Sequence, residues 1–243
     1  MDPLNKLGPD FEKNKYRVLH KNTTVDANFL TTSPDALNFL PQKKQFFYMP
    51  NPSDSSFETL HNYNHNCPMD VFFALSHGVH RGVLKRGKFD DREEFVKKLI
   101  QATPNVKFDI YGLNKIQPVW ADNYFKSISN SKMGLNLSRG KPIKYYSSDR
   151  ITQLIGNGLL TFIDEKTQFM DFFDNDEMVF YKDISDLSEK IQKYNTDNSE
   201  RKKIAKKGKE KCMKYFNSTL VAKYLLEKTF GIKTHNKYIW DNK

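Results

Sequence analysis

Two patterns of apolar and polar positions alternate along the chain after Met69. Residues 70–78, DVFFALSHG, form a continuous apolar run closed by a glycine, which is typical of a strand buried on both faces. In the next stretch, DDREEFVKKLIQAT, Phe95, Leu99 and Ile100 share one face, and the acidic residues crowd the amino-terminal end. This spacing predicts an amphipathic helix.

The same two patterns predict the remaining elements up to about Phe230. Strands are expected at VKFDIYG, MGLNLS, GLLTFID and EMVFYKD, and helices at WADNYFKSISNSK, SSDRITQLIGN, ISDLSEKIQKY, SERKKIAKKGKEKCMKYF and STLVAKYLLEKTF. Strand and helix therefore alternate at short range. This order predicts an α/β fold, with a doubly wound, parallel, Rossmann-like sheet that carries helices on both faces.

The first 65 residues lack such a regular pattern. Short strands fit YRVLHKNTTVDANFLTTS and a short helix fits DALNFL. The sequence PNPSD follows an apolar strand end and is typical of a linker. We therefore expect residues 1–65 to be the tail of an amino-terminal domain with its linker, residues 66–230 to be the Rossmann-like domain, and residues 231–243 to be a carboxyl-terminal tail.

Composition indicates a globular protein with a sizeable core. Of the 243 residues, 38% are hydrophobic, and 19 are Phe and 12 are Tyr. No uninterrupted apolar run is long enough to span a membrane, and MDPLNKLGPDFEKNK lacks the apolar region of a secretion signal. The two cysteines, Cys67 and Cys212, are far apart in sequence. We therefore expect a reduced, cytoplasmic protein.

The net charge of +10 favours anionic partners such as phosphate-bearing ligands, nucleic acid or an anionic membrane surface. Many of the basic residues lie in the run RKKIAKKGKEK at 201–211. Ile204 and Ala205 interrupt this run, and no aromatic residues are interleaved with the lysines. We interpret it as the solvated face of a helix, because a nucleic-acid site would be expected to carry aromatics or a groove-reading motif.

The loop at 76–91 follows the first buried strand, at the edge where ligands of parallel sheets bind. Its sequence, SHGVHRGVLKRGKFDD, combines Gly78, Arg81 and Lys88. Glycines allow close backbone approach to a ligand, and basic residues favour phosphate. No G-x-G-x-x-G spacing is present, which disfavours a dehydrogenase. A phosphate-binding loop and a flexible surface loop remain the two alternatives.

The loop LSRGKPIKYYSSD at 137–149 leads into a short predicted helix. Ser147 or Ser148 is expected to cap that helix, while Arg150, Gln153 and Asn157 are expected to form a polar stripe opposite its core-facing residues. The loop at 164–177 adds carboxylates at the same edge. This region is either an ordinary loop and helix start of an α/β fold or an anion-binding site.

Residues 131–194 resemble the carboxyl-terminal half of GT-B-fold glycosyltransferases, in particular the spore-maturation CgeB-like group. The resemblance covers roughly residues 70–230, and the PNPSD segment is similar to the inter-domain linker of such enzymes. The matching positions are Arg150, Gly158, Phe173, Glu177, Val179, Tyr181, Leu187 and Ile191, followed by Ile204, Ala205 and Gly208 in the basic helix.

The resemblance implies that this half binds a nucleotide-sugar donor and that residues 1–65 are an incomplete, acceptor-side portion. Arg139 and Arg150 are then the first candidates to hold the diphosphate, because a guanidinium can bind phosphate bidentately. Gln153 is then expected to contact a sugar or ribose hydroxyl; where many relatives carry a Glu, this Gln keeps one acceptor oxygen and adds two donors but loses the charge. The donor-binding residues expected in this way are Gly78, Arg81, Lys88, Ser138, Arg139, Ser148, Asp149, Arg150, Gln153 and Glu177.

The implied function is transfer of a hexosyl or related unit from a nucleoside-diphosphate sugar to a cell-envelope or surface glycan, or to a lipid-linked acceptor. A metal ion and a cofactor are not expected, and no catalytic base is identified. The expected location is cytoplasmic, with peripheral contact at the inner face of the membrane as an option and no nucleic-acid partner. The alternative function is a non-catalytic nucleotide- or glycan-binding module of the same fold.

Overall fold

A five-stranded parallel sheet forms the centre of the structure, a computed structural model that describes residues 9–41, 46–75, 91–114, 116–138, 140–233 and 236–241. The described helices and strands are, in chain order, α1 (Pro9–Lys21), β1 (Asn28–Leu30), β2 (Phe46–Tyr48), β3 (Met69–Ala74), α2 (Asp91–Ala102), β4 (Phe108–Tyr111), α3 (Ala121–Ser129), β5 (Ser131–Asn136), α4 (Arg150–Gly156), β6 (Leu160–Asp164), β7 (Val179–Tyr181), α5 (Ile184–Thr196), α6 (Asn198–Tyr215) and α7 (Ser218–Phe230). Every strand and helix predicted between residues 70 and 230 is present. The predicted parallel α/β class is confirmed.

Side chains on the two faces of the sheet belong to different hydrophobic clusters, as the two-residue period of a strand requires. On β3, Val71 and Phe73 join the cluster that contains Leu99 of α2 and Leu187 of α5. Phe72, between them, joins the cluster with residues of α3 and α4. Each fully buried side chain of this size stabilises the fold by roughly 1.5–3 kcal/mol. Helices therefore cover both faces of the sheet.

The strand order is β4-β3-β5-β6-β7, and all neighbouring pairs are parallel. After β3 the chain forms β4 on one side of it and then returns to form β5 on the other side. The connection therefore changes direction between β3 and β5. In open parallel sheets, a crevice for ligands lies outside the carboxyl ends of the strands at this switch point.

The amino-terminal part differs from its sequence prediction. Helix α1 runs to Lys21, where short strands were expected, and Tyr16 stacks on His20 one turn later, with ring centroids 5.9 Å apart. The predicted helix in DALNFL is only a 3-10 turn, Pro34–Ala36. Pro41 closely follows that segment and disfavours helix extension. Strands β1 and β2 form a separate parallel pair.

The segment that was expected to be a linker packs against the last two helices. Ser53 is fully buried, its N–H donates to the carbonyl oxygen of Phe216 at 2.8 Å, and its carbonyl oxygen accepts from the N–H of Ser218 at 2.8 Å. Tyr238 and Trp240, near the carboxyl terminus, are buried in the same aromatic cluster as Phe216. The division of the chain at residues 65 and 230 stays a prediction.

None of the helices in the described ranges combines the length and the hydropathy that a membrane crossing requires.

Candidate functional site

Arg150, the first residue of α4, closes the crevice at the switch point. Its Nε donates to the carbonyl oxygen of Ala74 at 3.0 Å, and its Nη1 donates to the carbonyl oxygen of Leu137 at 3.3 Å. Ala74 is the last residue of β3, and Leu137 directly follows β5. One guanidinium therefore joins the ends of the two strands that flank the switch point.

The environment of Arg150 keeps a positive charge fixed beneath this crevice. The residue is buried, and its guanidinium carbon lies 5.0 Å from the centroid of the Phe73 ring. Burial lowers the pKa of Arg150 to about 10, and the neighbouring charge of Arg92 acts in the same direction. The group is therefore still protonated at neutral pH. The charge of Asp149 acts in the opposite direction, but within the described part of the chain no carboxylate forms a direct ion pair with Arg150.

The predicted exposed stripe on α4 is wrong. Arg150 turns toward the strand ends, and Asn157 is fully buried. Asn157 donates to the carbonyl oxygen of Gln153 at 2.8 Å and accepts from the N–H of Leu60 at 3.1 Å. The segment before β3 thus covers α4 on the side away from the sheet. A helix packed on both sides has no solvated face, and the period of its own sequence does not reveal the second contact.

Gln153 is half-buried and already has a hydrogen-bond partner. Its Oε1 accepts from the hydroxyl of Tyr124 on α3 at 2.6 Å. Burial is the main cause that raises the pKa of Tyr124 to about 12, so this hydroxyl stays protonated. The side chain was expected to offer an acceptor oxygen to a sugar or ribose hydroxyl. Among the residues that the structure describes, no hydrogen-bond partner is seen for its amide nitrogen.

Asn136, the last residue of β5, fixes the loop that enters α4. Its Nδ2 donates to Oγ of Ser147 at 2.9 Å, and its Oδ1 accepts from Oγ of Ser148 at 3.3 Å. Ser148 Oγ also accepts from Nη1 of Arg150 at 3.2 Å. Neither serine caps α4, because both hydroxyls are used in this network. The capping prediction is wrong: Asp149 is the N-cap residue and forms no side-chain cap.

A cavity of about 260 Å³ adjoins the crevice on the side of β6 and β7. The start of α2, the loop after β5 and the ends of β6 and β7 form its walls. Ser138, one of the predicted residues, lines this cavity together with Arg92, Asp164 and Tyr181. The crevice and the cavity share Leu137, whose carbonyl oxygen is bonded to Arg150. Because Leu137 contacts both, we take the crevice and the cavity together as the candidate site.

The structure brings only some of the predicted donor-binding residues together. Ser138, Ser148, Asp149, Arg150 and Gln153 lie around the crevice, whereas Gly78, Arg81, Lys88 and Arg139 lie outside the described residues. Glu177 precedes β7, so in this parallel sheet it lies toward the opposite edge. Its carboxylate pairs with Lys211 of α6 at 2.5 Å and accepts from the N–H of Asp174 at 2.8 Å.

Arg92 and Asn136 are the site residues that the sequence analysis missed. Arg92 lies in the acid-rich first turn of α2, where the sequence alone suggests an exposed residue that pairs with the neighbouring acids. Asn136 ends an apolar strand and resembles an ordinary strand terminus. The only available signal was their position at the carboxyl edge of the predicted sheet.

A second group of carboxylates lies near α6. Ligand atoms of Asp174, Asp176 and Glu177 lie within 4.8 Å of one another. Lys207 forms an ion pair with Asp176 and Lys211 forms one with Glu177, each at 2.5 Å. Lysines therefore already balance two of the three negative charges, which weakens the attraction for a cation.

Comparison with known proteins identifies the family. Residues 90–227, more than half of the chain, match the family model described as glycosyl transferase-like. The chain belongs to the glycosyl transferase-like family. The comparison with curated protein sequences gave no match.

Several solved structures share the fold of this family member. TarM superposes with a TM-score of 0.63 at 14% sequence identity, covering 94% of this chain and 48% of the TarM chain. HepE from Anabaena, solved in complex with UDP, superposes with a TM-score of 0.65 at 10% sequence identity, covering 93% of this chain and 70% of the HepE chain. The pneumococcal O-GlcNAc transferase GtfA, in complex with UDP and GlcNAc, superposes with a TM-score of 0.58 at 13% sequence identity. The match covers 91% of this chain and 47% of the GtfA chain.

The chain thus spans about half the length of TarM. These likenesses, at low sequence identity, show the fold: a Rossmann-like domain of the GT-B kind. The resemblance to the carboxyl-terminal half of GT-B glycosyltransferases is supported at this level. Membership of the CgeB-like group stays a prediction.

Proposed function

We propose that this chain binds the diphosphate of a nucleotide-sugar donor at the switch point and takes part in glycosyl transfer. The observation that carries the proposal is the buried guanidinium of Arg150, which joins the carbonyl oxygens of Ala74 and Leu137. Membership of the glycosyl transferase-like family supports sugar transfer as the reaction class.

The chemistry of the site fits a leaving nucleoside diphosphate. When the glycosidic bond to phosphate breaks, negative charge develops on the diphosphate, and a positive group held in advance stabilises it. Backbone carbonyls hold Nε and Nη1 of Arg150, so its charge is fixed before the ligand arrives. Arg92 adds a second positive charge within Coulomb range of Arg150. Arg139 and the loop at 76–91 remain predicted contributors to diphosphate binding.

We propose that the donor is a uridine nucleotide-sugar. HepE was solved in complex with UDP-glucose, and TarM from S. aureus and GtfA were solved in complexes that contain UDP. The proposed transferred unit is hexosyl or a related sugar. The proposed acceptor is a cell-envelope or surface glycan, in line with the resemblance of the sequence to the CgeB-like group. We also propose a cytoplasmic site of action, without a cofactor or a metal ion.

Calorimetric titration of the full chain with UDP, GDP and ADP tests donor binding. We expect UDP to bind and to raise the melting temperature, because any ligand of the native state stabilises it. Arg92→Gln is expected to weaken UDP binding by roughly ten-fold or more, as loss of a charge-assisted contact does. Lys203→Gln, at an exposed position of α6, is the charge-matched control. If none of the three nucleotides binds or raises the melting temperature at millimolar concentration, the proposal is wrong.

A non-catalytic binding module is the second candidate. It is favoured by the contact between Gln153 and Tyr124, which occupies the oxygen expected to grip a donor hydroxyl. Release of UDP from UDP-glucose or UDP-GlcNAc separates the two functions. Release of UDP supports the transferase. Tight binding of UDP, with no release of UDP from either sugar nucleotide in the presence of any acceptor tested, supports the binding module.

A further inference from the structure

The outward side of α7 differs from that of the other carboxyl-terminal helices. Every exposed position on α5 and α6 is polar or charged. On α7 only one exposed position carries a charge, and the exposed residues are Thr219, Ala222, Lys223, Leu226 and Phe230. The inward side is apolar as well, because Val221 and Tyr224 are buried in the same aromatic cluster as Phe216. A helix that is apolar on both sides is normally covered on both sides.

The exposed apolar side chains are concentrated at the carboxyl-terminal end of α7. Leu226 and Phe230 lie one turn apart on the same face and are 55% and 71% exposed. Gly231, with a φ of 61°, ends the helix, and the N–H of Ile232 then donates to the carbonyl oxygen of Glu227 at 2.9 Å. This turn holds Ile232, which is 54% exposed, beside the last turn of the helix. Single exposed apolar residues are ordinary, whereas a group of this kind is typical of a contact surface. We call Leu226, Phe230 and Ile232 the α7 patch.

Lysines lie around the α7 patch. Lys223 is one turn before Leu226 on the helix, and Lys233 directly follows Ile232; both lysines are exposed. Residues 236–238 return to the end of α7, where two of their side chains donate to the carboxylate of Glu227 at 2.8 and 2.6 Å. The charged side chains among the described residues from 218 to 241 are Lys223, Lys228, Lys233, Lys237, Glu227 and Asp241. The balance of charge around the patch is therefore positive.

We propose that the α7 patch docks on a lipid membrane that carries anionic headgroups. Apolar side chains that project from a helix end with lysines around them match the boundary between acyl chains and phosphate headgroups. Leu226, Phe230 and Ile232 enter the apolar layer, while the lysines contact the phosphates. The net charge of +10 attracts the whole chain to such a surface. The patch shares no residue with the candidate site at the switch point, so this docking does not depend on nucleotide binding.

A second copy of the chain is the main rival for this surface. In a symmetric dimer the same patch lies on both subunits, so Lys223 and Lys233 of one copy would approach the same lysines of the other. Like charges that meet across an interface oppose association. An anionic membrane carries the opposite charge, and charge complementarity therefore favours the membrane over a second copy.

Co-sedimentation of the full chain with lipid vesicles tests the proposal. The vesicles consist of phosphatidylcholine alone or of an equimolar mixture of phosphatidylcholine and phosphatidylglycerol. We expect the parent to bind the mixed vesicles more tightly than the neutral ones. Leu226→Ser and Phe230→Ser should each weaken this binding by roughly ten-fold, because each removes an apolar side chain that enters the membrane. Lys223→Gln should weaken it by about five-fold at low salt and by less at high salt, where charges are screened.

Two matched variants control for adhesion through net charge or any exposed apolar side chain. Ile116→Ser changes a residue that is 45% exposed and follows β4, the strand at the opposite end of the sheet order from β7. Lys203→Gln changes an exposed lysine of α6. Neither control should alter vesicle binding. Chemical denaturation of all samples checks the fold, and each variant should keep the midpoint of the parent because each changed side chain is exposed.

Three results would overturn the proposal. The first is a parent that does not bind the mixed vesicles. The second is a loss of binding in Ile116→Ser and Lys203→Gln as large as that in the patch variants, which would indicate adhesion without a defined surface. The third is a particle mass in light scattering that rises with protein concentration in the parent but not in Phe230→Ser, because a second copy would then cover the patch.

Discussion

Nε of Arg150 donates a hydrogen bond to the carbonyl oxygen of Ala74, a residue 76 positions earlier in the chain. This bond joins the end of a central strand to the beginning of α4. It gives one side chain two effects: it stabilises the packing of α4 on the sheet, and it fixes a positive charge at the proposed donor site. The two effects are measured separately by unfolding and by ligand titration.

Arg150→Ala is expected to destabilise the protein by roughly 1.5–3 kcal/mol, because it removes charged hydrogen bonds to two backbone carbonyl groups, of which that of Ala74 is buried. A lysine has a single nitrogen and cannot reproduce the guanidinium fork, so Arg150→Lys should recover only part of that loss. Chemical denaturation measures both free energies of unfolding. Arg17→Ala, at an exposed position on α1, should stay within about 0.5 kcal/mol of the parent. A similarly small effect for Arg150→Ala contradicts the structural role.

Gly134→Ala should be destabilising, and Leu154 should determine by how much. A β-carbon on Gly134 would lie 2.5 Å from Cδ2 of the fully buried Leu154 side chain. Overpacking of this kind costs roughly 1–3 kcal/mol, while Leu154→Ala alone costs roughly 2–5 kcal/mol. The double variant should lose less stability than the sum of the single variants, since the shortened side chain leaves room for the new methyl group. Strict additivity in a double-mutant cycle would show that these two positions do not compete for the same space.

Gly208→Ala should destabilise the protein, although alanine is the better helix former by roughly 1 kcal/mol. Gly208 lies within α6, and a β-carbon there would overlap the backbone carbonyl oxygen of Glu177. Because backbone atoms cannot move aside without shifting α6, we expect a net loss of about 1–3 kcal/mol in the free energy of unfolding. Lys206→Ala, at a neighbouring exposed site of the same helix, should stay close to the parent. A stabilised Gly208→Ala variant would contradict the close approach of α6 to residue 177.

Glu58→Gln should make the protein more stable at neutral pH but not in acid. Burial raises the pKa of Glu58 above its ordinary value of about 4.3. The folded protein therefore keeps this proton in a pH range where the unfolded chain has lost it. The resulting stability is complete below the unfolded pKa and is lost as the pH rises through the folded pKa.

The glutamine variant does not ionise, so its advantage over the parent should grow from about pH 4 to about pH 7. The amide oxygen of the substituted side chain can still accept from the N–H of Asp54, as Oε2 of Glu58 does at 2.6 Å. Denaturant unfolding at a series of pH values measures the difference. Glu189→Gln, at an exposed position of α5, is the control. A stability difference that does not change with pH would show that the ionisation of Glu58 is not coupled to folding.

The sequence predicted the elements of the sheet well because each strand and helix is specified by its own local period. The residues 70–78 and the stretch around Leu99 could be assigned without knowledge of their partners. The environment of α4 could not, since the residues that bury Asn157 and Arg150 come from segments roughly 75 to 100 positions earlier in the chain. Local periodicity contains no information about such contacts.

The candidate site shows the same division between local and distant information. That ligands gather at the carboxyl edge follows from strand order, so Ser138, Ser148 and Arg150 could be selected. Glu177 could not be placed correctly, because the chain crosses back to the other edge before β7. Tyr181 was noted only as a matching position, and its burial became visible only once the ends of β6 and β7 and the start of α2 were assembled.

The aromatic cluster on α6 and α7 makes the folding unit larger than the Rossmann-like sheet. Tyr48 stacks on Phe172 with ring centroids 5.7 Å apart, and Trp240 stacks on Phe216 at 5.6 Å. Residues from near both ends of the described chain thus cover the same apolar surface. A chain trimmed to residues 66–230 would expose that surface to water and be prone to self-association. We therefore expect the segments outside the sheet to unfold together with it, so that shortening either end lowers the cooperativity of unfolding as well as its midpoint.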